Sequence, residues 1–176
     1  MAKDIVYWDA NCFLALLNNE TDKIKCCQGV MKKAEAGGLL IVTSALTLIE
    51  VVKMKGKPKL TSAVEKTIRG FFENSFIYIQ NVDRDVGIKA RELMWKHEAL
   101  APKDSVHVAT AILRKVPKLH TFDEYLLSLD GKYGTPKLNI CKPDIKYQMG
   151  FEDLPNEEEA SQDQSQQDPP PIREGS

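Results

Sequence analysis

Long apolar runs are missing from this chain: nowhere does it approach the roughly 18 consecutive apolar residues that a membrane-spanning helix needs. The N-terminus, Met1-Ala2-Lys3-Asp4, leads straight into a short strand-like segment instead of an apolar leader. The expectation is a protein that stays in the cytoplasm, away from membranes. Cysteine is scarce: Cys12, Cys26, Cys27 and Cys141 show no CxxC spacing. That spacing fits neither a zinc site nor a disulfide framework and leaves four reduced thiols. After the first strand-like run there is no glycine until Gly29, whereas a dinucleotide-binding Rossmann unit needs a glycine-rich first turn. His97, His107 and His120 are scattered, and none accompanies a recognisable nucleophile motif, so no Ser or Cys triad is indicated. There is no internal repeat, and the chain reads as one succession of elements.

What is present is enough apolar residue, 43% of 176 positions, for one sizeable core and not two. The net charge of −1 conceals a division. Residues 152–176 hold eight acids against Arg173 alone, a charge of −7, which leaves 23 bases and 17 acids, or +6, on residues 1–151. The tail is also rich in Gln, Ser and Pro and has almost no apolar residue after Leu154, so nothing in it offsets the entropy cost of ordering. The expected organisation is one domain at residues 1–151 and a disordered acidic tail at 152–176. A moderately basic body suits a polyanionic partner.

Along the body, short β-rich runs alternate with helical patterns. Residues 4–8, 39–42, 76–80, 118–121 and 138–141 read as strands. Helical periodicity covers 11–17, 22–35, 61–73, 83–97, 102–115 and 123–129. Ser44 is placed to cap another helix running to about Met54. Lys53, Lys55, Lys57 and Lys59 alternate through the loop that follows. The alternation predicts an α/β fold with a mainly parallel sheet of four to five strands, covered by helices on both faces. Ligands of such sheets bind at the carboxyl ends of the strands.

Acids stand at those ends. Asp9 follows the first strand, Asp123 follows the fourth within two residues, and Asp104 starts a helix after Pro102. Each has a plain alternative as a helix cap or first-turn residue. Glu50, inside the apolar run Leu46-Thr47-Leu48-Ile49-Glu50-Val51-Val52, needs a cationic partner if buried, either a lysine or a metal ion. Gathered together, the four carboxylates would repel one another unless positive charge entered. Mg²⁺ or Mn²⁺ supplies it with oxygen ligands and can serve hydrolysis of a phosphodiester without a nucleophilic side chain.

The segments VYWDANCFLALL, TSALTLIEVVK, PKDSVHVATA and LHTFDEYLL resemble, in order and spacing, the four acidic motifs of PIN domains, especially the VapC-type toxin ribonucleases. The resemblance covers about residues 4 to 145. It implies a PIN-like, Rossmann-like parallel sheet and a Mg²⁺- or Mn²⁺-dependent endoribonuclease acting on RNA, often as a homodimer. In toxin members an antitoxin protein can plug the acidic site. Asp9, Glu50, Asp104 and Asp123 match the catalytic and metal-binding acids. Thr121 matches a hydroxyl position suited to a water or phosphate, and Asn11 stands where the family often has Ser or Thr. His107, one turn after Asp104, could also face the site. The acidic tail and the 53–59 lysine loop depart from the short toxin pattern.

A haloacid-dehalogenase-like phosphatase shares a first strand ending in Asp. It usually also needs a second Asp two residues on, where this chain has Asn11, and a downstream Gly-Asp pair, which does not occur. A DNA nuclease of related fold generally carries extra helical domains. The alternative from another class is a non-catalytic PIN-fold module that binds RNA or assembles complexes.

Two expectations are directly measurable. A chain ended at Phe151 should melt cooperatively within a few degrees of the full chain; loss of the cooperative transition would place the tail in the core. If the loop lysines contact phosphates, changing Lys53, Lys55, Lys57 and Lys59 to Ser should weaken RNA binding and flatten its salt dependence, because fewer counterions are released. An unchanged salt slope would make it a solvated loop.

Overall fold

A computed structural model describes residues 4–52 and 61–144. The acidic tail and the four loop lysines lie outside the described residues. Five strands form one parallel sheet: β1 (Asp4–Trp8), β2 (Leu39–Ser44), β3 (Ile77–Gln80), β4 (Lys118–His120) and β5 (Asn139–Cys141). Their order is β3-β2-β1-β4-β5.

Parallel neighbours require crossover connections, and helices supply them. Helices α1 (Ala10–Leu17) and α2 (Ile24–Glu35) link β1 to β2, and α3 (Thr47–Glu50) with α4 (Ser62–Phe72) precedes β3. Helices α5 (Arg84–Lys96) and α6 (Pro102–Leu113) then carry the chain back across to β4, and α7 (Glu124–Leu127) precedes β5. The first crossovers step outward from β1 on one side and the third returns to its other side. The switch point therefore lies between β1 and β4, where a crevice opens at the strand ends.

Side-chain alternation divides the core into two layers. Val6 and Trp8 of β1, with Leu39 and Ile41 of β2, face Phe13, Cys27, Val30, Val64 and Ile68. Tyr7 and Val42 point the other way, with Leu119 and Ile140, into a cluster with Val86, Leu93, Val108 and Leu126. The register agrees, since Tyr7 lies beside Leu119 and Leu119 beside Ile140. Trp8 meets Phe13 edge to face at 5.2 Å between ring centres, and Phe13 meets a tilted Phe72 at 5.1 Å. Each fully buried side chain of this size adds about 1.5–3 kcal/mol of hydrophobic stabilisation, which fixes the sheet as a platform for its rim.

Helix starts use short polar caps, which satisfy otherwise unpaired backbone donors. Asp9 caps α1, Thr61 caps α4, Asp83 caps α5 and Asp123 caps α7. Pro102 opens α6, where its missing N–H has no cost.

One sequence expectation is corrected here. Ser44 does not cap a long helix; it is the last residue of β2, paired with Gln80, and the next amide, Ala45 N, donates to Gln80 at 2.7 Å. Strand pairing keeps the chain extended past the expected cap, so α3 is a single turn and Glu50 is its last residue.

Candidate active site

Asp9 emerges from β1 at the switch point and is only 3% exposed. Its Oδ1 accepts from the Cys12 amide at 3.2 Å, the cap of α1. Its Oδ2 accepts from the Thr121 hydroxyl and, at 3.4 Å, from the Asn11 amide. Burial raises the Asp9 pKa above the ordinary carboxylate range, despite the bonds from Thr121 and Cys12.

Thr121, just after β4, accepts a bond from the Asp123 amide at 2.9 Å through the same hydroxyl that donates to Asp9. Asp123 Oδ1 in turn accepts from Leu126 N at 2.9 Å. Thr121 is fully buried, and its hydroxyl joins the Asp9 carboxylate to the Asp123 backbone amide.

Asp104 sits in the first turn of α6. Burial pushes its pKa up, the nearby Asp123 and Glu50 charges add to the rise, and Lys103 and His107 oppose it. The charge effects between these side chains put Asp104, Asp123 and Glu50 in one electrostatic neighbourhood, and His107 also acts on Asp9. Asp104, Asp123 and Glu50 thus act on one another's charge, and Thr121 joins Asp9 to Asp123.

Glu50 is held differently. Its Oε2 lies 2.7 Å from His107 Nε2, and its Oε1 lies 3.4 Å from Lys103 Nζ. Burial works against its charge, yet the His107 bond and the Lys103 charge outweigh it and lower the pKa below the ordinary glutamate range. The cationic partner that an inward-facing Glu50 demands is therefore present within the protein. Among the described residues, no three His, Cys, Asp or Glu side chains are arranged to hold one metal ion.

Lys103 and Tyr7 were not singled out from sequence, and His107 was only a candidate. Lys103 is merely adjacent to Asp104, and Tyr7 looks like any strand aromatic. His107 carried the stronger signal: a polar residue between Val106 and Val108 in an apolar helix has to find a partner. The other histidines do other work. His120 accepts from the Trp8 indole at 3.1 Å, and burial brings its pKa down to about 4; His97 pairs with Tyr133. Cys12 is fully buried with its thiol pKa pushed up by burial, the opposite of an activated nucleophile.

A PIN-domain family model matches residues 6–132. The chain belongs to the PIN-domain family. Among solved structures, this PIN domain is similar to VapBC2 from Rickettsia felis, bound to a DNA fragment from its promoter. There the TM-score is 0.58 and the identity 18%, over 80% of this chain and 99% of the other. It is also similar to Mycobacterium tuberculosis VapC20, a Sarcin-Ricin loop cleaving toxin. There the TM-score is 0.53 and the identity 17%, over 68% of this chain and 90% of the other. Comparison with curated proteins gives no match. At these identities the structural likeness establishes the fold.

The raised pKa of Asp104 makes a signed prediction. Between its ordinary value and its raised folded value the native PIN domain binds more protons than the unfolded chain, so stability falls as pH rises through that window. Asn does not titrate. Asp104→Asn should therefore raise the melting temperature of the metal-free protein by a few degrees at neutral pH. The gain should vanish as pH drops below the ordinary aspartate value, about 3.9. Thermal melts in EDTA across this range check it; a variant that is less stable than the parent at neutral pH would show that Asp104 is not under electrostatic strain.

Proposed function

We propose that this PIN domain is a divalent-metal-dependent endoribonuclease, with Asp9, Glu50, Asp104 and Asp123 as its catalytic and metal-binding acids. PIN domains are typically nucleases, and a VapC-type toxin role, with RNA as substrate in the cytoplasm and an antitoxin protein as partner, is the finer reading. The likeness to VapC20, itself named as a toxin that cleaves the Sarcin-Ricin loop, and to VapBC2 supports it. Assembly as a homodimer is part of the same proposal.

The observation that supports the reading is the Thr121 bridge between Asp9 and Asp123 at the switch point of the sheet, with Asp104 and Glu50 acting on the same charge neighbourhood. That arrangement has a cost that only added positive charge relieves, and the raised pKa of Asp104, from burial and from its acid neighbours, is the sign of it. The donor set is oxygen throughout, which fits Mg²⁺ or Mn²⁺ and not a softer ion. Asp9, Glu50, Asp104 and Asp123 would hold the ion. A bound divalent ion supplies positive charge at the scissile phosphate and makes an attacking water more acidic.

The chain's own residues set up the rest. Thr121 ties the Asp9 carboxylate to the Asp123 backbone amide, and Leu126 N holds the Asp123 carboxylate, so both acids are ordered before substrate arrives. Asn11, within 3.4 Å of Asp9, stands at the edge of the same crevice. Lys103 is exposed beside the acids and can meet a phosphate oxygen as RNA enters.

The test is cleavage of labelled RNAs and DNAs with Mg²⁺, Mn²⁺ or EDTA. RNA should be cut internally with either ion and not in EDTA. Asp9→Asn, Asp104→Asn, Asp123→Asn and Glu50→Gln should each lower the cleavage rate by about a hundredfold or more, while RNA binding changes far less. If Asp9→Asn and Asp104→Asn both cut at the parent rate, the acids are not the catalyst. The internal pairing of Glu50 with Lys103 and His107 would then favour a non-catalytic RNA-binding or assembly module.

A further inference from the structure

Helix α5 keeps its core contacts on one side. Val86, Ala90 and Leu93 are buried in the layer shared with α6. At about 100° per residue the opposite side falls on Arg84, Ile88, Arg91 and Trp95. All four are exposed, but two of them are apolar: Ile88 is 48% and Trp95 81% exposed. The charge on this face is one-sided. Arg84 and Arg91 form no ion pair among the described residues. The acids within the helix, Asp85 and Glu92, fall on the next stripe, beside Lys89 and Lys96.

The indole is held in place. The Arg91 guanidinium, one turn back on the helix, lies over the Trp95 ring at 5.0 Å from its centre. That pairing already restricts the indole, so less rotamer freedom is lost when a flat partner stacks on it. The guanidinium keeps its edge donors free while its face is occupied. Gly87 lies next to Arg91, and nothing stands within 4 Å of where its Cβ would be. No packing within the fold accounts for this helix-weakening residue, and its bare backbone lets another chain lie close.

The face leads toward the acids. Arg114, just past α6, pairs with Asp83, the cap of α5, so the two helices run antiparallel. The Trp95 end of α5 therefore lies at the end of α6 that carries Lys103 and Asp104, with residues 97–101 turning between them. Two apolar residues alternating with two unpaired arginines would oblige a protein partner to desolvate both charges. The same pattern matches a polyanion that carries flat bases.

We infer, resting on the reading above that RNA is the substrate of this domain, that the outer face of α5 is a single-strand binding platform on which an unpaired base stacks on Trp95 while Arg91 and Arg84 meet neighbouring phosphates. Stacking is tolerant of sequence, because every base has a π face. The platform therefore grips unpaired segments in general and discriminates against duplex, whose bases already stack on one another.

The chain has two tryptophans, and Trp8 is fully buried, so iodide quenching reports Trp95 and Trp95→Phe supplies the Trp8 background. The full chain is titrated in EDTA, so that binding is read apart from cleavage. The probes are a single-stranded RNA of about ten nucleotides, the same sequence as a duplex, and inorganic polyphosphate. The single strand should shield Trp95 from iodide, the duplex far less, and polyphosphate not at all. Trp95→Leu, which keeps apolar bulk without a ring, should weaken single-strand affinity by about fivefold to a hundredfold at an unchanged salt slope, and Trp95→Phe should recover most of it. Arg84→Ser should lower the salt slope by about 0.7, the value for one phosphate contact on a single strand. Unaltered single-strand affinity in Trp95→Leu overturns the inference, as does equal shielding by polyphosphate. A parent dimer that Trp95→Ala splits, with RNA affinity unchanged, makes the face a contact between two copies of the chain and overturns it too. Cleavage separates the two levels. A parent that cuts RNA with Mg²⁺ or Mn²⁺, beside a Trp95→Leu variant that binds as tightly, removes only this inference. A parent that binds single strands through Trp95 but cuts none upholds this inference and removes the nuclease reading, and a parent that neither binds nor cuts removes both.

Discussion

The Thr121 hydroxyl donates to Asp9 and accepts from the Asp123 amide, and so joins the ends of β1 and β4 at the place where the sheet's connections reverse direction. Both sides of this bond are fixed by the core. Trp8 and His120, the residues just before Asp9 and Thr121, are in register and bonded through their side chains. The rim inherits its geometry from that pairing. Asp9 and Asp123 also cap α1 and α7, so the capping and site readings of these residues are compatible: a cap fixes the direction of a carboxylate, and a fixed carboxylate is a better ligand.

Charge is the second constraint. Acids crowded where burial thins the water are strained in proportion to the positive charge they lack. The fold supplies a partial remedy in Lys103 and the donor His107, and their effect shows in the lowered pKa of Glu50 beside a raised one at Asp104. Strand and helix positions, once set by packing, leave these side chains little freedom except at Lys103, which is solvent-exposed.

Much of this could be read in the residues. Alternating short apolar strands and amphipathic helices have strong periodicity, and all five strands fall where that periodicity put them. The four acids were legible because each sits just after a strand or in the first turn of a helix, or, for Glu50, interrupts an apolar run. The helix after β2 was misread because local propensity after Ser44 favours a helix, whereas the bonds from β3 that hold the chain extended come from residues more than thirty positions away. The bond from Thr121 to Asp9 was hidden for a similar reason, since the two lie 112 residues apart.

The sequence by itself determined the fold class, the crossover pattern and which acids stand at strand ends and helix starts, because periodicity, capping and polarity are properties of neighbouring residues. Only the tertiary structure decided who bonds to whom: Thr121 with Asp9, His107 with Tyr7 and Glu50, Lys103 with the second oxygen of Glu50. Those contacts link β1, α3, α6 and the end of β4, which no short stretch of chain brings together. They arise only once burial of the two apolar layers has set the register of the strands and the seating of the helices.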